Sequence, residues 1–376
     1  MSIFQPARIG DSIDSVETPA LLLDLDIVEK NIDRLQTITM DTKAVPRPHA
    51  KSHKCPNLAR LQIERGAVGV CCQKVSEAVA LIDAGISNIL ISNEIIDLNK
   101  IQRLTSLASR PGVSVRVCVD QQENVINLSN SAKKVGIELG VLVEIDLGMK
   151  RCGVSPGLAL VDFVKSIEKI PNIKFEGLQA YQGAAQHLGS EKERFSASAK
   201  AVSVIKNSVD LLSKAGVNCS TISGSGTGTC DFDSVSGLYT EIQAGSYVVM
   251  DAEYGACDIK FQHSLFLISQ VMSKPRINSI VLDAGLKSYT IEKGLPKVVE
   301  SVDGHTSQIR VIGTSDEHSV LDTSNQSKNL IPSIGEKVLL IPSHCDPTVN
   351  LHDWFVCIRN NVVVDIWPIS ARGPGF

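Results

Sequence analysis

The sequence predicts an α/β protein: a (β/α)8 TIM-type barrel followed by a second, all-β domain. Two observations carry this expectation. Across residues 44–250, short apolar, β-branched segments alternate with longer segments of helical period, the rhythm of repeated βα units. After Asp251 the rhythm changes to strands with no helical stretches between them. A length of 376 residues suits a barrel with an accessory domain.

Eight barrel strands are expected over 45–51, 68–73, 89–93, 113–119, 140–146, 175–181, 220–224 and 241–249, the number that closes such a barrel. Amphipathic stretches at 27–39, 97–108 and 190–215 are the predicted outer helices. Strands of the second domain are expected over 264–272, 279–286, 309–312, 337–342 and 354–367, the last broken by Asn360-Asn361 as a hairpin turn. An early strand at 20–26 is assigned to the β domain. The boundaries are therefore 27–255 for the barrel, and 1–26 plus 256–376 for the β domain.

Thirty-seven basic and 41 acidic residues give a net charge of -4, with neither sign gathered into a long run. That disfavours nucleic acid and anionic membrane as partners. No run reaches membrane-spanning length, and the first 14 residues lack a continuous apolar core. The 10 cysteines sit mostly inside apolar segments and form no C-x-x-C, a reduced pattern consistent with a cytoplasmic protein.

Reactive groups of such barrels sit at the carboxyl ends of strands. The polar residues interrupting the predicted strands there are His49 and Lys51, then Gln73, Asn93, Glu144 with Asp146, Gln179 with Tyr181, and Ser223. Lys51 lies in Arg47-Pro48-His49-Ala50-Lys51-Ser52-His53-Lys54, where burial and neighbouring cations would lower a lysine pKa and favour Schiff-base chemistry. A solvated basic loop is the ordinary reading of such a segment. Ser223-Gly224-Ser225-Gly226-Thr227-Gly228 follows a late strand and offers backbone N–H groups and hydroxyls suited to a phosphate. In Pro342-Ser343-His344-Cys345-Asp346, an extended chain would project His344 and Asp346 to one face and Cys345 away. An N/O pair of that kind suits Mg2+, Mn2+ or Co2+, and Zn2+ less exclusively. His187, after the sixth strand, is either a general base or a surface histidine.

In combination these segments resemble the D-threonine aldolase family of pyridoxal-phosphate enzymes, with the alanine-racemase type of barrel and β domain, and among its members look similar to the bacterial 3-hydroxy-D-aspartate aldolases. The resemblance rests on residues 49–54, Gly69-Val70-Cys71-Cys72-Gln73-Lys74, Val143-Glu144-Ile145-Asp146, Arg151-Cys152-Gly153-Val154, Gly226-Thr227-Gly228, Gly245-Ser246-Tyr247, Asp283-Ala284-Gly285-Leu286-Lys287 and the run from His344 to Trp354. It implies Lys51 as the cofactor lysine and His187 as the base. Gln73, Arg151, Tyr181, Ser223, Gly226, Thr227, Gly245 and Tyr247 are implied cofactor contacts, and His344 and Asp346 the metal ligands. The activity implied is cleavage of the Cα–Cβ bond of a D-3-hydroxy amino acid by a homodimer. Asp346 stands where metal-dependent D-serine dehydratases carry a cysteine, which disfavours elimination on the same scaffold; a racemase or a non-catalytic pyridoxal-phosphate carrier would not need the metal pair. Threonine and 3-hydroxyaspartate both remain as substrates, with Lys150, Lys287 and Arg359 as candidate partners for a second carboxylate.

Overall fold

The computed structural model describes residues 4–300, 307–373 and 375. Two compact units result: one from the described residues of 1–33, 52–57 and 246–373, the other from those of 34–51, 58–245 and 374–376. The sequence-based boundaries at 27 and 255 differ from this division by residues 27–33, 52–57 and 246–255, which the expected barrel included and which fall in the first unit.

The second unit holds an eight-stranded sheet in which the third to the ninth strands of the chain lie in sequence order and the second lies beside the ninth. Its strands are β2 (Val45–Pro46), β3 (Val70–Cys72), β4 (Asn88–Glu94), β5 (Ser114–Val119), β6 (Leu139–Glu144), β7 (Ile173–Ala180), β8 (Thr221–Gly224) and β9 (Glu241–Ile242). All neighbouring pairs are parallel, and β9 returns to pair with β2. The two free edges meet as well, through a parallel bridge between His49 and Cys71, with Val68 N–H donating to the Pro46 carbonyl (3.0 Å) and Cys71 N–H to that of Pro48 (2.8 Å). Near-continuous burial along β5 and β6 is what a parallel sheet covered on both faces requires. The outer helices Leu98–Ala108 and Glu191–Lys214 start where side chains can satisfy orphan amides: Asp97 caps the first, and a Ser190–Glu193 capping box the second.

Two predicted barrel strands shrink to two residues each. β2 spans two residues, although Arg47 and His49 N–H still donate to the Ile242 and Ala244 carbonyls beyond it, and Lys51 rides a 3-10 turn, Ala50–Ser52. β9 likewise stops at Ile242, and Tyr247 lies on the 3-10 turn Ser246–Val248.

The first unit holds a nine-stranded sheet. It comprises β1 (Ala20–Asp24), β10 (Leu265–Arg276), β11 (Ser279–Leu282), β12 (Lys297–Val299), β13 (Arg310–Thr314), β14 (Ser319–Asp322), β15 (Lys337–Ile341), β16 (Trp354–Arg359) and β17 (Val362–Pro368). The early strand belongs here, as expected: β1 pairs antiparallel with β10 and parallel with β16. Asn360 and Asn361, both at positive φ (48° and 61°), make the expected hairpin between β16 and β17. β12 and β14 were not anticipated, being too short to show a period. Leu22, Phe266, Ile268, Val356 and Ile358 form the core of this unit.

Candidate active site

In the barrel unit, the expected site residues fall on the carboxyl ends of the strands. The Lys51 turn is tied down by His49: its Nδ1 faces the Lys51 N–H at 3.4 Å, and its Nε2 lies 3.0 Å from both the Ser92 hydroxyl and the Gln73 amide. Gln73 and Lys51 are thus brought together through an imidazole. Ser223, at the end of β8, is fully buried and accepts from the Gln243 amide at 2.7 Å; Gln243 and Gln179 exchange amide hydrogen bonds of 2.7 and 3.1 Å.

In the glycine-rich loop the glycines serve close approach rather than positive φ. The residue at positive φ is Ser225 (69°). Gly224, Gly226 and Gly228 are instead required by close approach, since an added Cβ would lie 2.0 Å from the Ala180 carbonyl, 2.4 Å from Gln186 Oε1 and 2.0 Å from the Gln186 carbonyl. Gly228 N–H donates to Gln186 Oε1 at 2.9 Å. The buried Thr227 hydroxyl and the buried Ser223 hydroxyl remain donor groups of the kind a phosphate ester takes. His187 follows Gln186 on an exposed turn.

A second group gathers after β6. The segment Arg151 to Val154 folds back onto the strand end: Val154 N–H donates to the Glu144 carbonyl (2.8 Å) and Asp146 N–H to that of Val154 (3.0 Å). Gly153 makes this possible, with φ at 103° and no room for a Cβ, which would sit 2.7 Å from Asp146 N. The fold-back places Arg151 Nη2 3.5 Å from Glu144 Oε1 and its guanidinium over the Tyr181 ring at 5.8 Å. Ligand-type atoms of Glu94, Glu144 and Cys152 lie within 4.8 Å of one another. Burial, then the Glu94 charge, pushes the Glu144 carboxyl up to about 8, with Arg151 opposing. Glu94 is also raised, by burial and then by Asp120.

In the other unit, Tyr247 is buried, with Phe261 edge-on at 5.4 Å. His344 and Asp346 were expected on an extended chain, and the structure corrects this: His344 is the N-terminal cap of a short helix, Cys345–Val349, and Asp346 lies in its first turn. The pair is still adjacent, His344 Nε2 standing 3.9 Å from Asp346 Oδ1, while Cys345 is fully buried. Asp251 pins the helix start by accepting the Cys345 N–H (3.0 Å) and the Tyr254 N–H (2.9 Å). Glu292 hydrogen-bonds His344 Nδ1 and so turns Nε2 towards Asp346. This donor set fits a divalent cation: one imidazole nitrogen and one carboxylate oxygen side by side, with an outer carboxylate on the second ring nitrogen.

Glu292, Asp251, Gln243 and Glu94 were missed by sequence reasoning. Glu94 ends β4, one residue past the expected end at 93. The candidate carboxylate binders fare unevenly. Arg359 is taken by Asp26 and Glu29, and Lys287 by Glu317 at 2.6 Å; Lys150 lies on the loop after β6.

The alanine racemase N-terminal domain model matches residues 23–253, and a serine dehydratase domain model matches residues 264–358. A D-threonine aldolase of an Arthrobacter species is 42% identical over 98% of this chain and 96% of its own length. The chain belongs to the D-threonine aldolase and 3-hydroxy-D-aspartate aldolase family. The 3-hydroxy-D-aspartate aldolase of Paracoccus denitrificans (strain Pd 1222) is 41% identical over 99% of this chain and 96% of its own. The crystal structure of D-threonine aldolase from Filomicrobium marinum superposes with a TM-score of 0.95 at 41% identity, covering 100% of both chains. A D-threo-3-hydroxyaspartate dehydratase of a Delftia species aligns at only 23% identity, so within this fold the family's similarity lies with the aldolases. They are pyridoxal-phosphate-dependent lyases. No helix among the described residues is long and apolar enough to cross a membrane.

Proposed function

We propose that this protein cleaves the Cα–Cβ bond of a D-3-hydroxy amino acid, giving glycine and an aldehyde: glyoxylate from 3-hydroxy-D-aspartate or acetaldehyde from D-threonine. The observation that carries the reading is full-length similarity to aldolases, in a chain with a turn-held lysine in one unit and, in the other, His344 and Asp346 side by side. Lys51 Nζ holds pyridoxal 5'-phosphate covalently, and His49 fixes the turn that carries it. Gln73, Arg151, Tyr181, Ser223, Gly226, Thr227, Gly245 and Tyr247 are the contacts that orient the cofactor. When bound, the cofactor supplies a sink for the electron pair released as the bond breaks.

His344 and Asp346 hold a divalent cation, Mg2+ or Mn2+ in the first instance and Co2+ or Zn2+ as further candidates, which supplies Lewis acidity at the substrate's β-hydroxyl. His187 takes the β-hydroxyl proton at an imidazole nitrogen, and its exposed position lets water carry the proton away. The carboxylate of Asp346, in place of a thiolate, favours this chemistry over elimination to a keto acid and ammonia. We place the protein in the cytoplasm as a homodimer.

Three assays test the proposal. Lys51→Ala should lose the cofactor's bound absorbance and at least roughly 10^3-fold of turnover; an intact spectrum with full activity would remove Lys51. Exhaustive chelation should stop turnover until Mg2+ or Mn2+ is returned. Glycine as product, rather than ammonia, separates the aldolase from the dehydratase, and a panel of D-3-hydroxy amino acids decides between threonine and 3-hydroxyaspartate.

A further inference from the structure

The carboxyl ends of β4 and β6 bring two glutamates to hydrogen-bond range of each other, with Arg151 as the neighbouring guanidinium. Glu144 is 6% exposed and interacts through its side chain with both Glu94 and Arg151. Asp120, following β5, adds a third negative group: its Oδ2 accepts the Gly153 N–H at 2.9 Å, and its charge bears on Glu94. Cys152 closes the cluster, and burial followed by the two glutamates pushes its thiol up to about 11, so it contributes no charge near neutral pH. The Cys118 thiol of β5 is buried beneath the group and is likewise held protonated. Two ionised carboxylates at this separation and burial repel strongly, and one guanidinium cannot compensate three acids. A single proton shared between the glutamates resolves the conflict: one carboxyl donates to the other, which keeps its charge for Arg151.

We propose that Glu94 and Glu144 form a one-proton carboxyl pair that positions Arg151 over Tyr181, so that the proton on this pair sets how firmly the barrel holds its cofactor through Arg151. This rests on the reading of Arg151 as a cofactor contact. Both glutamates are positioning residues. The backbone fits the role, since Val154 N–H binds the Glu144 carbonyl and makes the Arg151–Val154 fold-back and the Glu144 side chain one assembly. When the last shared proton leaves, the repulsion among Glu94, Glu144 and Asp120 loosens that assembly. The expected consequence is weaker cofactor binding on the alkaline side.

The test uses the cofactor-loaded enzyme and two readouts. Infrared difference spectra between about pH 7 and about pH 9.5 bracket the pair's titration and should show loss of a protonated carboxyl C=O band in the wild type. That band change should be missing from Glu94→Gln and from Glu144→Gln, which separates it from Asp24, Asp233 and Asp251, carboxyls also raised by burial. Pyridoxal 5'-phosphate affinity should fall roughly tenfold in Glu144→Gln, because the carboxyl of the pair that faces Arg151 is gone. Glu94→Gln, a permanent neutral donor, should instead flatten the alkaline decline seen in the wild type.

A band change identical in wild type and both variants would overturn the shared proton. If either variant fails to fold, absence of any pH-dependent carboxyl band in the wild type alone overturns it. A band assigned to the pair, with cofactor affinity and its pH profile unchanged in both variants, would overturn the positioning role. If Arg151→Lys also left affinity unchanged, the cofactor contact itself would fail, which distinguishes that failure from the loss of the pair.

Discussion

The barrel carries two charged clusters, one built to be neutralised and one left short of cation. In the first, Arg47 meets both oxygens of Glu241 at 2.9 and 2.8 Å, Arg116 donates to Glu241 at 2.7 Å, and Glu176 lies 3.8 Å from Arg116. Arg116 and Glu176 belong to the amino-terminal halves of β5 and β7, and Arg47 and Glu241 flank β2 and begin β9. Burial alone would raise the Glu241 carboxyl, yet the two arginines more than offset it and hold it below its usual value. In the second cluster, at the carboxyl ends of β4 and β6, burial and like charge win and the glutamates are raised. The contrast follows the division of labour in this architecture, with stability built at one end of the strands and chemistry at the other.

Breaking the compensated cluster should have the largest effect. Glu241→Gln leaves two buried guanidinium groups without their carboxylate and should cost about 3–5 kcal/mol of unfolding free energy, measured by denaturant titration, with cofactor affinity per folded molecule unchanged. A loss confined to cofactor binding would reverse the assignment of roles.

Next in size is Glu292→Ala, which removes the brace on His344 Nδ1 and should weaken Mn2+ binding by roughly 10–100-fold, read by the free-ion signal in electron paramagnetic resonance. Glu292→Gln should recover part of that loss, because its amide oxygen can still accept from Nδ1–H. Unchanged Mn2+ affinity in both variants would leave the His344–Glu292 contact without a role in metal binding.

Gly153→Ala should cost about 1–3 kcal/mol, from a positive φ and a Cβ forced against the Asp146 amide. It should also release Arg151, so cofactor affinity drops together with melting temperature. A stability loss with full cofactor affinity would separate the fold-back from Arg151.

The smallest expected effect is in pH dependence, and the two clusters should show opposite signs. Glu144 is raised from the ordinary 4.5 to about 8. Its favourable contribution is complete below about 4.5 and is lost as pH rises through about 8. Glu241, held below 4.5, contributes above that value and loses its support as pH falls further. Stability curves of Glu94→Gln should therefore be flatter than wild type between about pH 4.5 and about pH 8, and a change confined to pH values below about 4.5 would contradict the charge assignment.

The barrel was legible in the sequence because burial on both faces leaves apolar runs that a period analysis detects, and the polar residues ending those runs led to Lys51, Gln73, Tyr181 and Ser223. Their exact setting was not. A 3-10 turn carries Lys51 where a strand end was expected. His344 and Asp346 were found as a pair for a reason that did not hold: a helix cap and first-turn position, rather than strand alternation, brings them side by side. Glu292, 52 residues from His344, and Glu94, 50 from Glu144, carry no local signature, because only tertiary folding makes them neighbours. The glycine loop was legible as a tight feature, while the groups its glycines accommodate, Ala180 and Gln186, come from another βα connection.

The proposed function depends most on Lys51 carrying the cofactor. Borohydride reduction of the pyridoxal-5'-phosphate-loaded enzyme, followed by mass mapping of its peptides, tests this directly. A reduced phosphopyridoxyl group on the Lys51 peptide is the predicted result. The same group on another lysine, with the Lys51 peptide unmodified, would contradict it.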